Sequence, residues 1–216
     1  EKTVGDVVRT LVGSGLFREV IVVSDGSTDG TARVASDAGA TLVHELPHNR
    51  GKGAAMSHGV MHTDAPIVCF FDADLKGLSV THCESVIGPV VTGKEYMHVA
   101  IRDRGPFWTA VAAMLPKVGG ERALRREIFD MIPTRYLAGF KVEAALNFFC
   151  DVNGLPRGAS VLPGLSIVRK YEKVGVVRAL GQYCRMWAQV GIAMLEVRLA
   201  RRKFAEHGSH MSHHHL

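Results

Sequence analysis

Apolar residues recur at Val4, Val7, Val8, Leu11 and Val12, the spacing of one helix face, and predict a helix over Val4–Leu16. The pattern then changes period. Glu19-Val-Ile-Val-Val-Ser24 is a short β-branched run that stops at a glycine-rich turn, which predicts a buried parallel strand. A short helix is expected over Thr31–Gly39, capped by Thr28 or Asp29, and a second strand over Ala40–His44. A longer helix is expected from Gly51 to His62. A third strand, apolar throughout, runs over Ala65–Asp72 and ends at an acidic pair. Strand, helix, strand, helix, strand, with polar turns at the strand ends, describes an α/β fold with a largely parallel sheet. Ligands bind such sheets at the carboxyl ends of the strands, where residues 24–31 and 72–76 both fall.

The second half is less regular. Helices are expected over Ala123–Met131 and Val142–Asn153, and a strand over Ser160–Val168. From Val174 a long helix carries apolar residues at Val176, Leu180, Tyr183, Trp187, Val190, Met194 and Val197. That stripe packs on the domain body, on a second copy in a homodimer, or on a membrane surface. Arg185 and Glu196 argue against a membrane-spanning helix, and Gly181 and Gly191 weaken it as an independent one.

Composition changes the picture in three places. At 216 residues, 47% hydrophobic and 22% charged, the chain has the balance of one globular domain with a large core. The net charge of +5 is uneven: Ile167–Lys203 holds nine Lys/Arg against two Asp/Glu, or +7, leaving about −2 elsewhere. A basic C-terminal segment suits an anionic partner such as phospholipid, a phosphorylated acceptor or nucleic acid, or is a solvated helix face. The cysteines, Cys69, Cys83, Cys150 and Cys184, form no C-x-x-C pair and read as reduced thiols in a cytoplasmic protein. The residues from Gly208 to Leu216 read as an expression-tag remnant, so their histidines carry no metal argument.

Three clusters could carry chemistry. Ser24-Asp-Gly-Ser-Thr-Asp-Gly-Thr31 has glycines for a tight turn, and Asp25 could accept hydrogen bonds from a nucleobase or ribose. The same residue types also cap helices for purely local reasons. His48-Asn-Arg-Gly-Lys-Gly53 puts Lys52 and backbone N–H groups where a phosphate could bind, without the spacing of a P-loop. Asp72-Ala-Asp74 offers two carboxylates that could share Mg²⁺ or Mn²⁺, which would hold a diphosphate and offset its charge as it leaves. His58 and His62, four apart on a helix, could pair on a metal; with no carboxylate close in sequence they read instead as a partly polar helix face.

Together the clusters resemble the family 2 glycosyltransferases, especially the dolichyl-phosphate mannosyltransferase-like branch. Asp25-Gly-Ser-Thr-Asp-Gly-Thr31, Asn49-Arg-Gly-Lys-Gly-Ala-Ala55 and Phe71-Asp-Ala-Asp-Leu75 occur in that family's order and spacing. The resemblance implies a GT-A fold, a Rossmann-like nucleotide-diphospho-sugar transferase architecture with a mostly parallel central sheet and here a long C-terminal helix. It divides the chain into a transferase domain over 1–173, lacking the family's first strand, an amphipathic basic helix over 174–204 and the remnant over 205–216. It places a nucleoside-diphosphate sugar on Asp25, Gly26, Ser27, Lys52 and Asp72, with Asp72 and Asp74 as metal ligands for Mg²⁺ or Mn²⁺. Asp74 and Glu143 are the expected catalytic residues, Glu143 as the base if the acceptor is a hydroxyl.

Ala100-Ile-Arg-Asp-Arg104, Gly120-Glu-Arg-Ala-Leu-Arg-Arg126 and Gly139-Phe-Lys-Val-Glu143 resemble acceptor-side segments, so Arg102, Arg104 and Arg122 are expected to meet a phosphorylated or lipid-phosphate acceptor. No nucleic acid is implied. An inverting transfer in the cytoplasm, peripheral on the membrane's cytoplasmic face if the acceptor is a lipid, is the resulting expectation.

The retaining glucosyl-3-phosphoglycerate synthases share the Gly-Gly-Glu turn and the Gly-aromatic-x-Val-Glu helix, but Val168-Arg-Lys-Tyr-Glu172 lacks the histidine that completes their metal site. Ser24 stands where the family has an acidic residue, and Lys76 where it has a neutral polar one. A nucleotidyltransferase and a catalytically silent nucleotide-binding module stay open as alternatives.

Overall fold

The computed structural model describes residues 3–102, 120–137, 139, 141–167 and 199. The chain opens on α1 (Val4–Gly13), followed by β1 (Ile21–Asp25), α2 (Thr31–Asp37), β2 (Leu42–Leu46), α3 (Lys52–Val60) and β3 (Ile67–Phe70). These are the six expected elements, each within a few residues of its predicted bounds. Helix α2 differs at its cap: Gly30 holds the N-cap position, while Asp29 Oδ1 accepts the N–H of Thr31 at 3.2 Å from one residue earlier.

Next come β4 (Leu75–Lys76), α4 (Val80–Val91), β5 (Met97–Arg102), β6 (Arg122–Arg125), α5 (Arg126–Met131), a 3₁₀ turn at Thr134–Tyr136, α6 (Lys141–Val152), β7 (Arg157–Leu162) and β8 (Ser166–Ile167). Two expectations fail here. The helix expected over Ala123–Met131 begins as strand β6, which is inserted between β3 and β5 and is antiparallel to both. Two ladders of backbone hydrogen bonds and full burial of Arg122, Ala123 and Leu124 outweigh the segment's local helix preference. The strand expected over Ser160–Val168 is two strands, because Pro163-Gly164 turns the chain, with Gly164 at φ +78°, and sends β8 to pair with β4. The long helix expected from Val174 lies outside the described residues.

The strands form a mixed arrangement rather than a mostly parallel one. β1 and β2 pair in parallel, and a second sheet runs β3-β6-β5-β7, with only β5 and β7 parallel. Period-2 alternation splits this sheet's residues between two layers. Met97, Val99 and Leu124 face α3, α5 and α6 in a cluster with Met56, Ile128, Val142, Leu146 and Phe149. Ala100 and Ala123 face the opposite side, with Val86 and Val90 of α4 and Val7 of α1. Helix α1 divides its apolar face, for Val4 and Val8 pack instead with Val20 and Ala35. It thus ties the β1–β2 pair to the larger sheet. Each fully buried Leu or Phe in these layers contributes about 1.5–3 kcal/mol. Between β1 and β3 lies an apolar cleft of about 520 Å³, lined by Val8, Phe17, Val22, Met56, Val68 and Phe70 among others.

Candidate active site

The carboxyl ends of β1 and β3 carry the polar clusters, and the structure brings them together through the start of α3. Asp25 ends β1. Its Oδ1 accepts the backbone N–H of Arg50 and its Oδ2 that of Gly51, each at 2.7 Å. These charge-assisted bonds pin the turn that delivers Lys52. Gly26 (φ +72°) lies so close that a Cβ there would fall 2.4 Å from the Asn49 nitrogen, so the turn admits only glycine. Ser27 is exposed beside it. A Cβ on Gly53 would fall 1.6 Å from the Leu137 carbonyl oxygen. The second glycine of Gly-Lys-Gly is therefore explained by the close approach of the chain at Leu137. No side chain caps α3.

Lys52 is the centre of the site. Its Nζ donates to Asp72 Oδ1 at 2.8 Å and lies 2.9 Å from Glu143 Oε1. Burial pulls its pKa down, but Glu143 and then Asp72 more than offset this, and the net shift is upward. Glu143, in the first turn of α6, is buried; Arg122 Nη2 stands 3.9 Å from its other oxygen. Arg122 is fully buried and also faces the Glu143 carbonyl oxygen at 3.5 Å. Arg122, expected to meet the acceptor, therefore lies within the core beside Glu143.

Asp74 lies at the solvent-accessible rim. Partial desolvation and then Asp72 raise its pKa, against the pull of Arg102 and Lys52. Glu121, between the rim and the core, is fully buried, and neither of its oxygens has a hydrogen-bond partner among the described residues. Arg102 Nη1, at the end of β5, is 3.9 Å away. Burial first, then Asp72, raises the Glu121 pKa. Sequence reasoning passed over Glu121 in favour of its neighbour; a lone acid ahead of the run Ala123-Leu124 was the available signal. Gly120 closes the turn against Asp72, since a Cβ there would sit 2.3 Å from Asp72 Oδ2. Arg104 lies outside the described residues.

The site therefore gathers four carboxylates, of Asp72, Asp74, Glu121 and Glu143, against Lys52, Arg102 and Arg122. The excess of hard oxygen donors and the upward shifts of Asp74 and Glu121 suit a divalent cation such as Mg²⁺ or Mn²⁺. Asp72 and Asp74, the ligands expected from the sequence, are the pair that could hold it.

The Glycosyl transferase family 2 profile matches residues 1–134, more than half of the chain. The chain belongs to glycosyl transferase family 2. Among curated relatives, 4,4'-diaponeurosporenoate glycosyltransferase from Staphylococcus aureus (strain USA300) is 37% identical over 91 residues, 40% of this chain. The chain spans only 24% of that relative's length. Glucosyl-3-phosphoglycerate synthase from Mycobacterium tuberculosis, solved with phosphoglyceric acid, superposes with a TM-score of 0.72 at 25% identity, covering 91% of this chain and 75% of that one. The same enzyme solved with Mn²⁺, uridine diphosphate and glucosyl-3-phosphoglycerate gives a TM-score of 0.71 at 24% identity, covering 93% and 75%. The family 2 chain described here accordingly has the GT-A fold.

Proposed function

We propose that the chain transfers a sugar from a nucleoside-diphosphate donor to a phosphorylated acceptor, with the aid of Mg²⁺ or Mn²⁺. The observation that carries this reading is the convergence of Asp25, Lys52, Asp72 and Asp74 at adjoining strand ends, with Lys52 held between Asp72 and Glu143. A divalent cation on Asp72 and Asp74 supplies positive charge to the departing diphosphate. Lys52 adds a second, fixed positive charge at the same place, and Asp25 keeps the Lys52 turn in position while its remaining lone pairs face the nucleoside. In the transfer, an acceptor oxygen forms the new bond to the anomeric carbon as the bond to the diphosphate oxygen breaks.

A phosphate acceptor is supported by the state of Glu143. Both of its oxygens face cations, Lys52 Nζ at 2.9 Å and Arg122 Nη2 at 3.9 Å, and not an open position for an acceptor hydroxyl. A phosphate oxygen is already ionised near neutral pH and needs no base. Arg102 at the end of β5, with Arg104 beyond it, would meet that phosphate. Direct attack by such an oxygen gives inversion.

Two sources of the acceptor phosphate are distinguished by experiment. A polyprenyl phosphate, as in the dolichyl-phosphate branch, would use the basic 174–204 segment against an anionic membrane. A small phosphorylated acid is favoured by the likeness to glucosyl-3-phosphoglycerate synthase, solved with phosphoglyceric acid. Incubation with labelled UDP- and GDP-sugars and Mn²⁺, with polyprenyl phosphate in vesicles or with 3-phosphoglycerate, reads the result directly. Label in lipid or in the small acid assigns the acceptor. Label in neither, with the donor intact, overturns the transferase reading.

A further inference from the structure

Away from the carboxylates, at the far end of α3, three histidines converge. His44 projects from β2, and His58 and His62 lie on and just beyond α3. The ring centroids are 4.8 Å apart for His44 and His58, 4.0 Å for His44 and His62, and 4.5 Å for His58 and His62. One nitrogen from each ring lies within 4.8 Å of the other two. The spacing of His58 and His62 was visible in the sequence; their third member was not, because β2 and α3 meet only in the fold.

Ordinary packing of three rings leaves the nitrogens unexplained. The Nε2 atoms of His44 and His58 are buried and have no hydrogen-bond partner among the described residues. Buried polar atoms of this kind are otherwise paired. His62 adds a directional argument. Its Nδ1 is 2.7 Å from the His58 carbonyl oxygen, which can only accept, so Nδ1 carries the proton and Nε2 keeps its lone pair. A ring nitrogen donating to a backbone carbonyl while the other faces inward is the arrangement that orients a metal-bound imidazole.

We propose that His44, His58 and His62 form a second metal site, for a borderline divalent transition ion of the Zn²⁺ class. Three imidazoles without a carboxylate suit Zn²⁺, Co²⁺ or Ni²⁺ and reject Mg²⁺. Zn–N bonds of about 2.0–2.1 Å in tetrahedral geometry put ligand nitrogens about 3.4 Å apart, so the rings close by roughly 1–1.5 Å on binding. Neutral imidazole is the ligating form. His62 is exposed, which leaves the fourth position to solvent. The ion would fasten β2, the outer strand of the β1–β2 pair, to α3. Its ligands His58 and His62 lie roughly 9 and 15 Å from Lys52 along the helix direction, and so the ion is separate from that of the transferase site.

The test uses the full chain with His207, His210, His213, His214 and His215 replaced by Ala, titrated with Co²⁺ under saturating Mg²⁺. Mg²⁺ occupies the carboxylates, so the visible Co²⁺ absorption reports the imidazoles alone. The site predicts one Co²⁺ per chain, displaced by Zn²⁺, with affinity at least tenfold weaker in both His44→Phe and His62→Ala and unchanged in His82→Ala. His62→Ala changes an exposed side chain, so its fold is retained, as circular dichroism verifies. Absence of Co²⁺ and Zn²⁺ binding in the chain with the triad intact, or equal affinity in His62→Ala, would overturn the proposal. Neither outcome depends on donor or acceptor.

Discussion

Replacing Glu143 by Gln keeps the side chain's shape and removes one charge from a buried three-membered network. At an effective dielectric of ~20, pairs at 2.9 Å with Lys52 and 3.9 Å with Arg122 carry about 6 and about 4 kcal/mol of Coulomb attraction, before desolvation is subtracted. Desolvation offsets much of this, and stripping one partner from a buried pair costs about 3–5 kcal/mol net. Asp72 still holds Lys52 after the change, whereas the fully buried Arg122 loses the Glu143 charge 3.9 Å away. The lower end applies, about 3 kcal/mol, which for a domain of this size lowers Tm by roughly 6–12 °C. Urea unfolding of the wild type, Glu143→Gln, Arg122→Met and the double variant measures it. The double variant removes the Arg122–Glu143 pair from both sides, so it should be more stable than the sum of the single losses implies. A Glu143→Gln loss under about 1 kcal/mol, or strictly additive behaviour, would refute the claim that Glu143 is held by Lys52 and Arg122.

Three further outcomes follow from the same geometry. Lys52→Met should weaken nucleoside-diphosphate binding at least tenfold in calorimetry, since it removes the fixed positive charge at the strand ends; unchanged affinity would detach Lys52 from the donor. Gly53→Ala forces a Cβ to within 1.6 Å of the Leu137 carbonyl oxygen and should destabilise the fold by more than about 3 kcal/mol; a loss below about 1 kcal/mol would show that the segment at Leu137 yields freely. Glu121→Gln should stabilise the protein at pH 7. Burial and Asp72 raise the carboxyl pKa above its unfolded value, so ionised Glu121 costs stability at neutral pH. That cost fades as pH falls through the raised folded value and is gone below the unfolded value of about 4.3. Denaturant titrations at pH 7 and below about pH 4 should give a gain only at the higher pH, and the reverse order would refute the sign.

The transferase half of the fold was legible because β1 and β3 are short β-branched or apolar runs stopped by polar turns. That alone placed Asp25, Asp72 and Asp74 at strand ends. Lys52 was legible from Gly-Lys-Gly, although Gly53 serves the packing against Leu137. What stayed hidden depends on long-range pairing. Strand β6 sits on Arg122-Ala-Leu-Arg125, a segment with no strand signature, and becomes a strand because β3 and β5 both bond to it. Helix α4 carries Cys83, Val86 and Val90 on one buried face, but Gly88 and Pro89 blur its periodicity. The burial of Arg122, the Glu143–Lys52 pair and the joining of His44 to His58 and His62 each connect distant parts of the chain. No local pattern encodes them.

In the proposed reaction Asp72 and Asp74 hold a divalent cation on which donor binding depends. Isothermal titration of UDP-sugar and GDP-sugar, with and without Mn²⁺, on this chain and on Asp74→Ala tests it most directly. One donor should bind at least tenfold more tightly with Mn²⁺, and Asp74→Ala should abolish the metal-dependent part. Equal binding with and without Mn²⁺, or a metal effect that survives in Asp74→Ala, would contradict it.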